Sequence, residues 1–284
     1  MSGLISAHDF MEYLALYYDK LNEHHDSDFV EFKSEMLSLR QFLGDFVLEE
    51  KNKTVVFDEV TKKKEYVKYK SYFTHAEMFF ERQIEIQENE AITKLNMKLD
   101  MKKIRKYLTK DFNKLFYDTV GKEIDELSKY FDVNSKFLMV GCGSMPISLL
   151  HYTTRYPNST FIGIDNSSEA IGKAIELKNK LKIKNLRFSL YDGVAYDKYG
   201  DIKTILVANT VIPKKRIMNK ITQSAGSNTI IFMRIPVDTG HLLSEDVNYT
   251  TLGNRIELLE EIDPYKVSGS PDDLLYKIQV LKIK

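Results

Sequence analysis

The stretch "FLMVGCGSMPISLL", residues 137–150, turns from an apolar run into a glycine pair followed by a proline. Gly141 and Gly143 let a backbone turn sharply and approach a ligand without Cβ clashes. Pro146 fits the first turn of a following helix, where its missing N–H is no loss. A helix starting there turns N–H groups and a positive dipole end towards a carboxylate or phosphate. Cys142, inside the loop, has no histidine partner in the sequence to make it a nucleophile and reads as a small packing residue. Asp165 closes the next apolar run in "FIGIDNS", 22 residues after Gly143, with Asn166 beside it. An acidic residue at that spacing is an acceptor for a ribose diol. Asp192 and Gly193, in "YDGVA", follow the run after that. A carboxylate there can accept from an exocyclic adenine amine, and the competing reading is a turn former. Asn209 and Thr210 follow the fourth run, and Arg234 ends the fifth, where it suits a substrate carboxylate or a buried ion pair with an acid.

Together these residues describe a site for a nucleoside-bearing cofactor, against the plainer reading of a strand–turn–helix whose Asp165 only caps a helix. A dinucleotide needs a third glycine for close helix–strand packing, and Pro146 replaces it. S-adenosyl-L-methionine (SAM) has adenosine at one end and an amino acid at the other, joined at a sulfonium. Acceptors for the diol and the adenine, with a glycine loop near the amino-acid end, match SAM. No metal is expected: there is one cysteine, and His24 and His25 beside Asp26 read as an interhelix turn.

The elements that must position these residues change character near Ser135. From 136 onwards, apolar runs alternate with helix-like segments, which argues for a mostly parallel seven-stranded Rossmann-like sheet covered on both faces. Two last strands, near 255–261 and 276–282, read as an antiparallel hairpin at its edge. Residues 1–130 read as an N-terminal helical cap, and 131–284 as the SAM-binding domain. In the cap, Phe10, Leu14, Tyr17 and Leu21 recur at helical steps, as do Phe29, Phe32, Met36, Leu39 and Phe42, with Asp26 or Ser27 as N-cap. Further helices are expected over 74–95 and 111–130. Residues 54–70, "TVVFDEVTKKKEYVKYK", read as a hairpin or flap.

These runs, with "LVANTVIPKKRIMNKI" and "NTIIFMRIPVDTGHLL", resemble the SAM fold of the nicotianamine synthases and the related opine-metallophore synthases. The resemblance covers about 116–240. It implies the class I methyltransferase fold and transfer of the 3-amino-3-carboxypropyl arm of SAM, releasing methylthioadenosine. The acceptor would be a small amino-acid-like molecule, or the α-amine of SAM itself, closing azetidine-2-carboxylate. The resemblance also implies a catalytic tyrosine on the last cap helix, matched by Tyr117, and a glutamate upstream. Glu77, Glu81, Glu85, Glu88 and Glu90 all offer themselves there, and Glu81 is the choice; Arg234 and Thr210 would meet the substrate. The competing readings are an ordinary small-molecule methyltransferase releasing S-adenosylhomocysteine, and a SAM-binding regulator without chemistry.

Lys+Arg and Asp+Glu number 41 each, so the net charge is zero. That argues against a nucleic-acid partner. No stretch is apolar enough for a membrane span, and one cysteine with no leader-like N-terminus points to the cytoplasm. The expected partner is a small molecule, and a homodimer is left open.

Overall fold

The computed structural model describes residues 6–24, 29–48, 53–97, 100–108, 113–262 and 276–284. A seven-stranded sheet runs β3-β2-β1-β4-β5-β7-β6, from β1 (Lys136–Val140), β2 (Thr160–Asp165), β3 (Leu186–Leu190), β4 (Thr204–Val207), β5 (Ile230–Pro236), β6 (Ile256–Ile262) and β7 (Tyr276–Ile283). The first five strands pair in parallel, while β7 lies antiparallel between β5 and β6. The expected edge hairpin is therefore present.

Side chains alternate across a strand, so a sheet buried on both faces needs continuous apolar runs. Phe137 and Met139 of β1 enter one core, and Leu138 and Val140 the other. The first core is shared with α6 (Asn113–Leu127), α7 (Ile147–Arg155) and α8 (Ser168–Leu181), and the second with α9 (Lys214–Ser224). The reversal of strand order between β1 and β4 opens a crevice at the carboxyl ends of the strands, where open α/β sheets bind ligands.

Upstream lie α1 (Ala7–His24), α2 (Phe29–Leu48), α3 (Lys53–Val60), the long α4 (Lys64–Thr93) and α5 (Met101–Tyr107). Phe10, Leu14, Phe32, Met36 and Phe73 pack into a third core, which also takes Leu242 and Leu243 from the segment after β5.

Residues 54–70 are not a hairpin. They belong to α3 and the start of α4, joined by a turn at the lysines. Val56 and Val60 are buried one turn apart, and Tyr66 starts a buried helical face continued by Phe73, Phe80 and Ile84. Burial in the cap core outweighs the β-propensity of Val and Tyr. The expected third helix thus begins ten residues earlier, at Lys64 rather than 74. Helix α5 went unanticipated; it is short, and Asp100 caps it by accepting from the Lys103 amide. Asp26, Ser27 and His25 lie outside the described residues. No helix among the described residues is long and apolar enough to cross a membrane, and none of their His, Cys, Asp and Glu side chains are grouped to hold a metal ion.

Candidate functional site

Two cavities adjoin at the carboxyl ends of the strands, with about 730 Å³ and about 760 Å³ of space including their mouths. Glu81, Glu85, Gly141 and Thr210 belong to both walls.

The first cavity is lined by Gly143, Asp165, Asn166, Asp192 and Gly193 from the sheet, and by Met78 and Arg82 from α4. Asp165 stands at the end of β2; one carboxylate oxygen accepts from the Gly143 amide at 3.0 Å and the other from the Ser167 amide at 3.0 Å. Asp192 accepts from the Val194 amide at 2.7 Å, so the turn reading is met, while its residue also faces the cavity. Asp165 and Asp192, the two acids singled out in the sequence, thus line one cavity.

The glycine loop is built differently from the expectation. The Gly141 and Cys142 amides donate to the Ile164 carbonyl, and Gly143 to Asp165. Glu85 of α4 reaches down so that one oxygen accepts from the Ser144 amide at 2.8 Å, the Ser144 hydroxyl at 3.2 Å and the Met145 amide at 3.3 Å. Pro146 has no amide to give. The loop amides from Gly141 to Met145 are therefore bonded within the protein. Gly143 has φ +66°, and a Cβ there would collide with Glu85; at Gly141, φ +76°, it would collide with Val211. The glycines thus admit protein side chains as well as a sharp turn. Pro146 stands one residue before the first helical residue of α7, as its N-cap, and lines neither cavity; its carbonyl accepts the first helical bond, from Leu150.

The second cavity is lined by Cys142, Asn209 and Arg234, by Arg40 and Glu77 of the cap, and by Phe116, Ser148 and Tyr276. One Arg234 nitrogen donates to Glu123 at 2.7 Å and to Ser148 at 3.0 Å, and the Tyr276 hydroxyl donates to the other Glu123 oxygen at 3.1 Å. The guanidinium lies 5.3 Å from the centroid of the Phe116 ring and 5.2 Å from that of Tyr276. Arg234 is thus both a buried ion-pair partner and a wall of the cavity. Arg40 pairs with Glu77. Beneath the floor, the buried Lys214 ammonium donates to the carbonyls of Asn209, Arg234 and Glu245, tying the ends of β4 and β5 to the segment that enters the cap core.

Burial sets the charge of the α4 face. It raises the carboxyl pKa of Glu77 and Glu81, against the pull of Arg40 on both. Thr210 bonds the Glu81 carboxyl, which also lowers its pKa. Glu85 is pushed up to about 8 by burial and the charge of Glu81, against the amides of Ser144 and Met145. Lys214 is lowered to about 7 by burial. The Cys142 thiol is pushed up, again by burial, which keeps it un-ionised and inert.

Tyr117 is not brought to either cavity. Its hydroxyl donates to the Met101 carbonyl at 3.1 Å, its ring packs 4.2 Å from that of His151, and burial raises its pKa. The cavity-facing aromatic of α6 is its neighbour Phe116. A helix turns 100° per residue, so two adjacent aromatics cannot share a face, and the sequence alone does not say which one faces in. Reasoning from sequence also missed Arg40, Ser148, Tyr276 and the Glu123 partner of Arg234. Glu85 had a signal, since it shares one helical face with Glu77 and Glu81 at four-residue steps.

Residues 131–264 match a family described as a methyltransferase domain. The solved structures most like this chain include those of the nicotianamine synthase MtNAS. In complex with MTA and tNA it gives a TM-score of 0.76 at 12% identity, over 97% of this chain and 98% of that one. A Glu→Gln mutant of MtNAS in complex with S-adenosylmethionine gives 0.71 at 12%, over 96% and 98%. The same mutant alone gives 0.74 at 11%, over the same shares. No curated protein matches the sequence. The chain has the class I methyltransferase fold, and it shares the fold of MtNAS over nearly its whole length, helical cap included.

Proposed function

We propose that this chain is a SAM-dependent transferase that moves the 3-amino-3-carboxypropyl arm of SAM to an amine and releases methylthioadenosine. The observation that carries the reading is the pair of cavities sharing one wall at Glu81, Glu85, Gly141 and Thr210. Asp165 and Asp192 suit the diol and adenine of SAM in the first cavity. An acceptor in the second, between Glu77 and Glu81 on one side and Arg234 on the other, would reach the sulfonium end across that wall. The second cavity is the side on which a small amino-acid-like acceptor would enter, and SAM's own α-amine is the acceptor if none does.

In the step proposed, the acceptor nitrogen forms a bond to the γ-carbon of the arm while the carbon–sulfur bond breaks. The bonding pair goes to sulfur, which becomes the neutral thioether of methylthioadenosine. The acceptor ammonium must first lose a proton, and Glu81, on the shared wall, is the base we assign to take it. Its raised pKa makes it a stronger base than an exposed glutamate, the property a general base near neutral pH requires. In-line attack at about 3–3.5 Å is the geometric requirement that the shared wall must satisfy.

The methyltransferase match favours a second reading, attack at the methyl carbon with release of S-adenosylhomocysteine. Incubation with SAM alone, then with candidate amino acids, separates the two by the nucleoside released. Methylthioadenosine is the expected product; S-adenosylhomocysteine as the main product would refute arm transfer, and tight binding without turnover would favour a regulator.

A further inference from the structure

The feature that the proposed reaction leaves unused is the grip of α4 on the glycine loop. Glu85 takes the Ser144 and Met145 amides, and Asn89, one turn further along α4, donates to the Ser144 carbonyl at 2.7 Å and to the Lys173 carbonyl at 2.9 Å. Asn89 is fully buried, so this is an internal joint between the cap and the loop. Left open, the successive Ser144 and Met145 amides of the loop would draw the carboxylate of an amino-acid ligand. Here a carboxylate already sits on them, and every other loop amide from Gly141 to Gly143 is bonded to β2.

We infer that Glu85 is a specificity-determining residue: it fills the anion site of the loop, keeps the carboxylate of SAM off it, and so leaves the arm free to present its γ-carbon to the second cavity. The inference rests on the proposed arm transfer and deepens it. A SAM carboxylate fixed on the loop would tether the arm along α7, with the methyl group as the mobile carbon. Denied the loop, the carboxylate would turn to the guanidinium of Arg82 in the first cavity, since Arg40 and Arg234 of the second are paired with Glu77 and Glu123. The glycine at 143 fits this design, because any side chain there would displace the Glu85 carboxylate. The raised pKa of Glu85 does not empty the loop, since an acid protonated on one oxygen still accepts on the other.

The test compares Glu85→Gln and Glu85→Ala with the wild type, using SAM and methylthioadenosine, which lacks the arm, as calorimetric ligands. The amide of Glu85→Gln still accepts from the loop, so its ratio of SAM to methylthioadenosine affinity should stay within about twofold of wild type. Glu85→Ala opens the loop, and the ratio should shift about tenfold or more in favour of SAM, the size of a charge-assisted bond to the arm's carboxylate. Its formation of methylthioadenosine should fall by at least about tenfold, with S-adenosylhomocysteine rising in the product mixture. Glu85→Asp, one methylene short of the loop, carries the same expectation if Glu85→Ala does not fold. An unchanged ratio in Glu85→Ala overturns the inference, as does a loss of SAM affinity alone, which would place Glu85 on the ligand's ammonium. If the wild type releases S-adenosylhomocysteine, the arm-transfer reading fails, and the affinity ratio still decides whether Glu85 guards the loop.

Discussion

The two cavities handle charge in opposite ways. In the first, Asp165 and Asp192 are held by backbone amides, and among the described residues no basic side chain is bonded to them. Under the proposed function, their charge would meet the hydroxyls, amine and sulfonium of SAM. In the second, Arg234 is locked to Glu123 and Arg40 to Glu77, with aromatic rings beside Arg234. Amide-held carboxylates serve as fixed acceptors, whereas a buried ion pair holds the fold and the cavity wall at once. The first cavity should therefore be sensitive in binding, and the second in stability.

The largest effect expected is on the second side. Arg234→Met leaves Glu123 buried with only the Tyr276 hydroxyl to meet it. Breaking one partner of a buried pair costs about 3–5 kcal/mol, read as a lower urea midpoint with an unchanged slope. A loss below about 1 kcal/mol would mean that the pair is wetter than its burial indicates, and the contrast between the cavities would collapse.

Asp165→Ala is the matching break on the first side. It removes the proposed diol acceptor and frees the Gly143 and Ser167 amides to water. SAM affinity should fall by about 2–3 kcal/mol, near a hundredfold, while global stability falls by less than in Arg234→Met. Equal losses of stability in the two variants would erase the distinction.

How early each side could be read from the sequence follows from where its residues lie. The loop, Asp165 and Asp192 come from consecutive strand–turn–helix units, so local spacing carries them. The second cavity takes residues from α2, α4, α6, α7, β5 and β7, and only tertiary packing brings those together. That is why Arg234 was legible as a strand-end cation but its partner Glu123, on α6, was not. The sheet itself was readable because a doubly covered strand has to be an unbroken apolar run. The segment 54–70 misled because Val, Phe and Tyr favour strands unless a cap core buries them at helical spacing.

A pH series sharpens the comparison at the shared wall. Glu77, Glu81 and Glu85 ionise at higher pH in the folded protein than an unfolded glutamate does, near about 4.3. Above about 7 the buried Lys214 sheds its proton in the fold and offsets these groups. Between about 4.3 and about 7 the three carboxyls, opposed only in part by the lowered His151 and His241, leave the folded state with more protons than the unfolded one. Stability must then fall as pH rises through this window. The ligand-free Tm should decrease from about pH 5 to about pH 7, and SAM, a cation at sulfur, should bind more tightly over the same rise. A Tm that rises through this window would mean that these carboxyls are ionised in the fold at lower pH than their burial implies.

The smallest effect should come from Tyr117→Phe. The hydroxyl makes one hydrogen bond, to the Met101 carbonyl, and the ring lies against His151 outside both cavities. Its removal should cost about 1 kcal/mol of stability and leave SAM affinity unchanged. Turnover should fall less than about threefold, because Phe116 rather than Tyr117 lines the second cavity. A fall of a hundredfold or more at unchanged SAM affinity would require α6 to rotate by about one residue, 100°, when substrate enters, bringing the phenol into the second cavity. Phe116 would then leave the Arg234 guanidinium, so Phe116→Leu should show no loss of turnover in that case. If Phe116→Leu is instead the more damaging of the two, the second cavity works with the wall seen here.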